Sequence, residues 1–467
     1  METKELKNTR QGQNKMGTQP IGKLLFGMSI PLVISMLVQA LYNVVDSYFV
    51  SNMELIGNKA LNAISLAYPI QMLMVAFSVG TGVGMNAYIS RCLGMGDHEK
   101  ADRGAANGML LLFVTSLVFT VLGFFTEPFF KLFTDDPEIL ELGTSYLRIC
   151  MIFCLGIFIQ IGGERILQGM GKNNLSMIAQ LVGAVTNIVL DPMLIYGIGF
   201  FPELGMRGAA VATVIGQWLG MVIALLLVIC GKHEVTLKLK NFRPDKKTVA
   251  EIYRVGAPSI IMQSIGSVMT VGLNAIFSRI LADETGVSIT GVYFKIQSII
   301  FMPVFGMTNA AMSIMAFNYG AANRRRLMRA LKLTIISAVL IMLAGVLIFE
   351  LAPERIVALF DKNGSLTEPG AHAFRIICLH FPIAAIGISL STFFQSLGRG
   401  IHSMVMSILR QLGVLLPSAL ILALIFRSVD AVWWCFIVAE FASVGYGSIV
   451  YKKLWKNELS LIPEGAE

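Results

Sequence analysis

ILQGMGKNNLSM, residues 166–177, recurs in altered form as FFQSLGRGIHSM, residues 393–404. Gln168 matches Gln395, Gly171 matches Gly398, Ser176 matches Ser403 and Met177 matches Met404, all at one common offset. One such pair is noise, but the offset recurs. RCLGMGDHEKADR (91–103) pairs with FNYGAANRRRLMR (317–329) through Gly94/Gly320 and Arg103/Arg329, and Pro31 and Pro258 each stand near the start of a long apolar run. A nearly constant offset over widely separated segments points to an internal duplication.

Composition says where the two copies reside. The chain has 467 residues, 55% hydrophobic and 14% charged, with a mean hydropathy of +0.70, far from the roughly one-quarter charged make-up of soluble domains. The apolar residues gather into runs of about 20, long enough to cross the hydrocarbon layer as helices. Six spans are expected near 26–52, 60–90, 104–126, 139–168, 174–198 and 206–230, and six more near 254–281, 287–318, 328–350, 371–396, 401–426 and 430–452. Six is even, so both copies enter the membrane in the same orientation and are related by a pseudo-two-fold axis along its normal. The expected fold is therefore an all-α integral membrane protein of 12 transmembrane helices in two six-helix lobes. Its divisions are a tail (1–24), an N-lobe (25–231), a basic linker (232–253), a C-lobe (254–454) and a second tail (455–467).

The net charge of +8 does not imply nucleic acid, because the basic residues alternate between loops and form no single patch. Lys4, Lys7, Arg10, Arg91, Lys100, Arg103, the Lys238–Lys247 stretch, Arg324–Arg326 and Lys452, Lys453 and Lys456 fall on one side, whereas TDDPE and ADETG lie on the other. This positive-inside pattern puts both termini in the cytoplasm of a multi-pass protein of the cell's inner membrane. The polar start of the chain gives no cleavable signal peptide. Six scattered cysteines without metal spacing read as small apolar fillers. GMGKN (169–173) lacks the upstream glycine and following hydroxyl of a phosphate loop, so an ion gradient is the expected energy source.

A charge at mid-bilayer costs about 2.5–3.5 kcal/mol, which makes intramembrane acids functional candidates. Within ALYNVVDSYFVS (40–51) sits Asp46, and Ser35, Gln39, Asn43 and Asp46 recur at three- and four-residue steps on one helix face with Tyr42 beside it. QLVGAVTNIVLDPML repeats the arrangement with Gln180, Asn187 and Asp191. Pro192 cannot donate to the carbonyl of Ile188 and tends to bend the helix there. Two such faces suit a proton, held by paired carboxyls, or sodium, bound by hard oxygens. The bland reading is that both acids hold helices together. The second half lacks them: Leu273 stands at the position of Asp46, and no acid lies between Ile401 and Phe426. Its deep charges, Arg410 and Glu440, pair between helices or serve coupling or substrate contact. Lys295 is expected to snorkel and Glu164 to be structural. The 26 methionines suit packing or a cavity for varied apolar molecules. Gly80, Gly82 and Gly84 of GTGVG read as close helix packing.

The layout resembles the multidrug and toxic compound extrusion (MATE) family from about Gly22 to Lys456. PLVISMLVQALYNVVDSYFV, QGMGKNN, NIVLDPMLIYGIG and GMRGAAVATVIGQ are the most specific pieces. The resemblance implies cation-coupled antiport of amphiphilic, cationic drugs by alternating access of two lobes, without a cofactor beyond H+ or Na+ as coupling ion. It places Asp46, Asp191, Asn187 and Thr213 on the cation site of the amino-terminal lobe. Gln39, Tyr42, Asn43 and Gln180 are then expected to contact substrate in the cleft between lobes of a monomer. Members that couple sodium through the other lobe carry acids in the seventh and tenth spans; APSIIMQSIGSVMTVGLNAIFSRI and HFPIAAIGISLSTFFQSLG carry none. Two competitors remain. A flippase for a lipid-linked precursor, found in the same superfamily, wants a cationic cleft, whereas the deep acids point the other way. A membrane-embedded enzyme has no HExxH, GxSxG or clustered histidines to support it.

Overall fold

A computed structural model describes residues 14–53, 57–199, 201–231, 233–238, 241–360, 364 and 366–465. Of the basic residues assigned to the cytoplasmic side, Lys4, Lys7, Arg10 and Lys240 lie outside the described residues. Among the described residues every regular element is helical. The first half contains α1 (Ile21–Ser51), α2 (Gly57–Gly94), α3 (His98–Leu122), α4 (Pro137–Ile152), α5 (Leu155–Gly169), α6 (Asn173–Ile195) and α7 (Met206–Cys230). The second contains α8 (Lys246–Ala275), α9 (Glu284–Gly320), α10 (Arg324–Leu351), α11 (Thr367–Cys378), α12 (Phe381–Ser396), α13 (Gly400–Ile408), α14 (Leu415–Phe426) and α15 (Cys435–Asn457).

Among the described residues ten helices are long and apolar enough to cross a membrane, and the number is 12 with each of the pairs α4–α5 and α11–α12 taken as one span. Those two spans, expected as single helices over 139–168 and 371–396, are bent by 46° and 47°. The second bend has a visible cause, Pro382, which opens α12 without an N–H to give. The first has no proline. It tightens into i→i−3 bonds, Cys154 N–H to Met151 O, and its released carbonyls find other donors. Thr120 Oγ1 donates to Ile152 O at 3.2 Å and Trp218 Nε1 to Phe153 O at 3.0 Å. At Pro192, by contrast, α6 runs on to Ile195 without a break.

The duplication is also visible in the backbone. Gly171 (φ +76°) and Gly398 (φ +78°) both end helices in the left-handed conformation that a Cβ disfavours. Each is followed by an N–H reaching back five residues, Lys172 to Leu167 O and Arg399 to Phe394 O. Asp97 and Asn323 cap the helices that follow, accepting from the N–H groups of Lys100 and Arg326.

By compactness the chain divides into two units, one of residues 34–93 and 97–260, the other of the described parts of 1–33, 94–96 and 261–467. These limits fall inside α1 and α8, whereas the sequence divides the chain at its loops. In the first unit, GTGVG packs helices closely. A Cβ on Gly80 would lie 2.7 Å from the backbone N of Ile260, one on Gly82 2.7 Å from Cγ of Arg165, and one on Gly84 would overlap the carbonyl of Ile252. Gly183 of α6 and Gly216 of α7 meet backbone to backbone. The core of the second unit is aromatic: Tyr293, Phe349, Phe374, Phe381 and Phe436 are buried in edge-on and stacked contacts.

Candidate functional site

The contact of α6 with α7 brings the first polar groups together. With glycine at 183 and 216 the two backbones touch, and Asn187 Nδ2 lies 3.2 Å from Thr213 Oγ1 and 3.2 Å from Asp191 Oδ1. The amide donates to both, and all three side chains are buried; Asp191 is wholly inaccessible. From α1, Asp46 is also buried. The hydroxyl of Tyr196 donates to Phe49 O at 2.6 Å, tying the end of α6 to the end of α1. Higher on the same faces, Gln180 Nε2 donates to Gln39 Oε1 at 2.8 Å.

Of the sequence-derived site residues, Asp46, Asn187, Asp191 and Thr213 are buried, Tyr42 and Gln180 are half-buried, and Gln39 and Asn43 are exposed. The helical stripe therefore changes character along its length, from a solvent- or lipid-exposed amide pair to a closed acidic end. In the same unit Gln71 Nε2 donates to Tyr146 OH at 3.2 Å and lies 3.9 Å from Cys150 Sγ. Gln71, Tyr146 and Cys150 were silent in the sequence. Gln71 lies in an apolar stretch of α2 and Tyr146 in the mixed sequence TSYLR of α4, and no periodicity marked either.

The acidic end is under-bonded. Asp46 Oδ1, Asp191 Oδ2 and Asn187 Oδ1 are all buried without a protein partner. Leaving such a group unsatisfied costs about 1–3 kcal/mol, and more when it is charged, so several together call for an explanation. The donors are carboxylate, amide and hydroxyl oxygens, a hard set that fits a proton or a sodium ion and lacks the thiolates or imidazoles of a zinc site.

The other deep charges are placed differently. Glu164 is buried and accepts from Gln160 Nε2 at 3.0 Å within its own helix. Lys295 is exposed on α9. Arg410 and Glu440 approach to 3.8 Å between α15 and the turn joining α13 to α14.

The MatE family profile matches residues 31–193 and 258–421, two segments of nearly equal length whose starts, Pro31 and Pro258, are separated by the same offset as Gly171 and Gly398. The chain belongs to the MATE family. Members of this family are transporters, not enzymes. Among relatives, the multidrug export protein MepA of Staphylococcus aureus is 23% identical over 441 residues, spanning 92% of this chain and 94% of that protein. The FAD transporter of Shewanella oneidensis is 25% identical over 406 residues, 86% of this chain and 88% of that one. A solved structure described as the outward-facing conformation of a multidrug resistance MATE family transporter of the MOP superfamily is similar with a TM-score of 0.86 and 28% identity, covering 94% of this chain and 98% of that chain. The two bent spans and the paired glycine caps are thus the scaffold of a multi-pass MATE transporter.

Proposed function

We propose that this MATE protein is a cation-coupled multidrug efflux antiporter that exports amphiphilic, cationic compounds by alternating access. Entry of a proton or sodium ion at Asp46 and Asp191, assisted by Asn187 and Thr213, drives release of the drug outside. Gln39, Tyr42, Asn43 and Gln180 contact the drug. The single observation that carries the reading is the set of buried oxygens without protein partners on Asp46, Asn187 and Asp191. A cation bound there supplies the missing partner, and its departure leaves two like charges to repel. Differential binding of this kind is what an ion needs to shift a two-state equilibrium. The name multidrug export protein carried by a relative supports export, and GMGKN (169–173), which does not match a phosphate loop, supports an ion gradient as the driving force. The reading further puts the protein in the bacterial inner membrane as a monomer, with lobes 25–231 and 254–454 and both termini in the cytoplasm.

The test is purified protein in vesicles loaded with a fluorescent organic cation, with proton and sodium gradients imposed separately. Efflux of unaltered dye under one of the two gradients is expected. Dye loss indifferent to both gradients, or chemically altered dye, contradicts the proposal.

A further inference from the structure

One deep charged pair in the second unit has no part in the cation site. Arg410 lies in Leu409–Gly413, a π-helical turn between α13 and α14. It is ten residues from Gly400, the start of the span, and so roughly 15 Å along the helix, too far for its side chain to reach the interface. Its Nε lies 3.8 Å from Glu440 Oε1, beyond hydrogen-bond length. The Glu440 side chain is 4% exposed and that of Arg410 23%. Glu440 Oε2 has no partner and faces α12, where a Cβ on Gly387 would stand 3.5 Å away. The pair is lopsided: the carboxylate is sealed, whereas the arginine side chain that faces it through Nε keeps about a quarter of its surface accessible.

Packing does not explain it. At the duplication offset the equivalents of Arg410 and Glu440 are Gly183 and Thr213, and α6 and α7 pack tightly through that glycine with no charge at either position. The scaffold therefore closes without an ion pair here, and a buried pair is rarely a net source of stability. A π-helical turn inserts one residue into a helix, re-aims its side chains and is frequent at functional sites. An arginine whose Nε is turned to a fixed carboxylate keeps its outer edge oriented for a planar, two-point contact with another anion.

We propose that Arg410 binds the anionic group, carboxylate or phosphate, of amphiphiles that this transporter exports, with Glu440 as the positioning residue behind it. The inference rests on the efflux reading above and extends its substrate class from cations to zwitterionic and acidic amphiphiles. The test compares rhodamine B with its ethyl ester, the same xanthene cation with and without a free carboxylate, in vesicles containing the full-length protein. In Arg410→Gln the ratio of rhodamine B to ester efflux falls about tenfold, the size of one lost charge-assisted contact. Arg410→Lys keeps the charge but not the fork and gives a smaller fall. Glu440→Gln, which loosens the guanidinium, lowers the ratio about threefold. An unchanged ratio in Arg410→Gln, whether both dyes are lost together or both retained, overturns the proposal and leaves a structural ion pair. A wild type that moves neither dye overturns the efflux reading and this one with it. Repeating the wild-type measurement with phosphatidylglycerol added to phosphatidylcholine separates cargo from lipid: an undiminished ratio supports a cargo contact. A ratio abolished by the anionic lipid assigns Arg410 to a headgroup phosphate and overturns the export claim.

Discussion

Asp46 and Leu273, and Thr213 and Glu440, stand at matching places in the two halves, at the offset that separates Pro31 from Pro258, and no acid between Ile401 and Phe426 matches Asp191. In the first half these positions gather buried oxygens around two acids. In the second, Leu273 is fully buried, and the core of that half is built from aromatic rings. The features that the halves share are backbone features: left-handed glycine ends, side-chain caps and a bend of nearly the same angle in the fourth and tenth spans. What differs is the buried side-chain chemistry, together with the π-helical turn that interrupts the eleventh span but not the fifth. A six-helix scaffold thus carries a buried polar cluster in one half and an aromatic core in the other.

The contrast breaks most completely at its acids. Asp46→Asn or Asp191→Asn lowers gradient-driven efflux on the order of 100-fold, as expected when a coupling interaction of a few kcal/mol is removed; vesicle efflux under imposed gradients measures it. At the matching second-half position the effect changes kind. Leu273→Ala opens a cavity and costs about 2–5 kcal/mol of stability, seen by thermal unfolding in detergent, while the response of efflux to the gradient persists. Asn187→Ala and Thr213→Val sharpen the comparison within the site. Each removes one hydrogen-bonding group and raises the cation concentration for half-maximal efflux about tenfold.

The smallest effect lies outside the spans. Asp245 accepts hydrogen bonds from Thr248 Oγ1 and from the N–H groups of Thr248 and Lys247, which hold its carboxyl below the ordinary carboxylate range. A depressed folded-state value means that its contribution is present above the unfolded value, near pH 4, and is lost as pH falls through the folded one. Wild-type protein therefore loses slightly more thermal stability between about pH 6 and about pH 3 than Asp245→Asn, in which that slope is absent. Equal losses in the two proteins count against the cap.

Much of this was legible in the sequence, and the reasons differ by residue. Asp46 and Asp191 stood out because a charge in an apolar run is costly, and Gly171 and Gly398 because the same residue returned at a fixed offset. The bend after Ile152 was not legible. It has no proline, and it is stabilised by Thr120 and Trp218, which lie on other helices before and after it in the chain. Gln71 and Tyr146 were hidden for a related reason: they lie on different helices, and only tertiary packing joins them. Long-range partners leave no period for a sequence to show.

The central claim is that drug and cation exchange at the two aspartates of the first half. Purified protein in lightly buffered detergent solution, titrated with an organic-cation substrate, reports this through the protons or sodium ions released on binding. The account predicts cation release by the wild type and none by the Asp46→Asn/Asp191→Asn double variant. Undiminished release by that variant contradicts it.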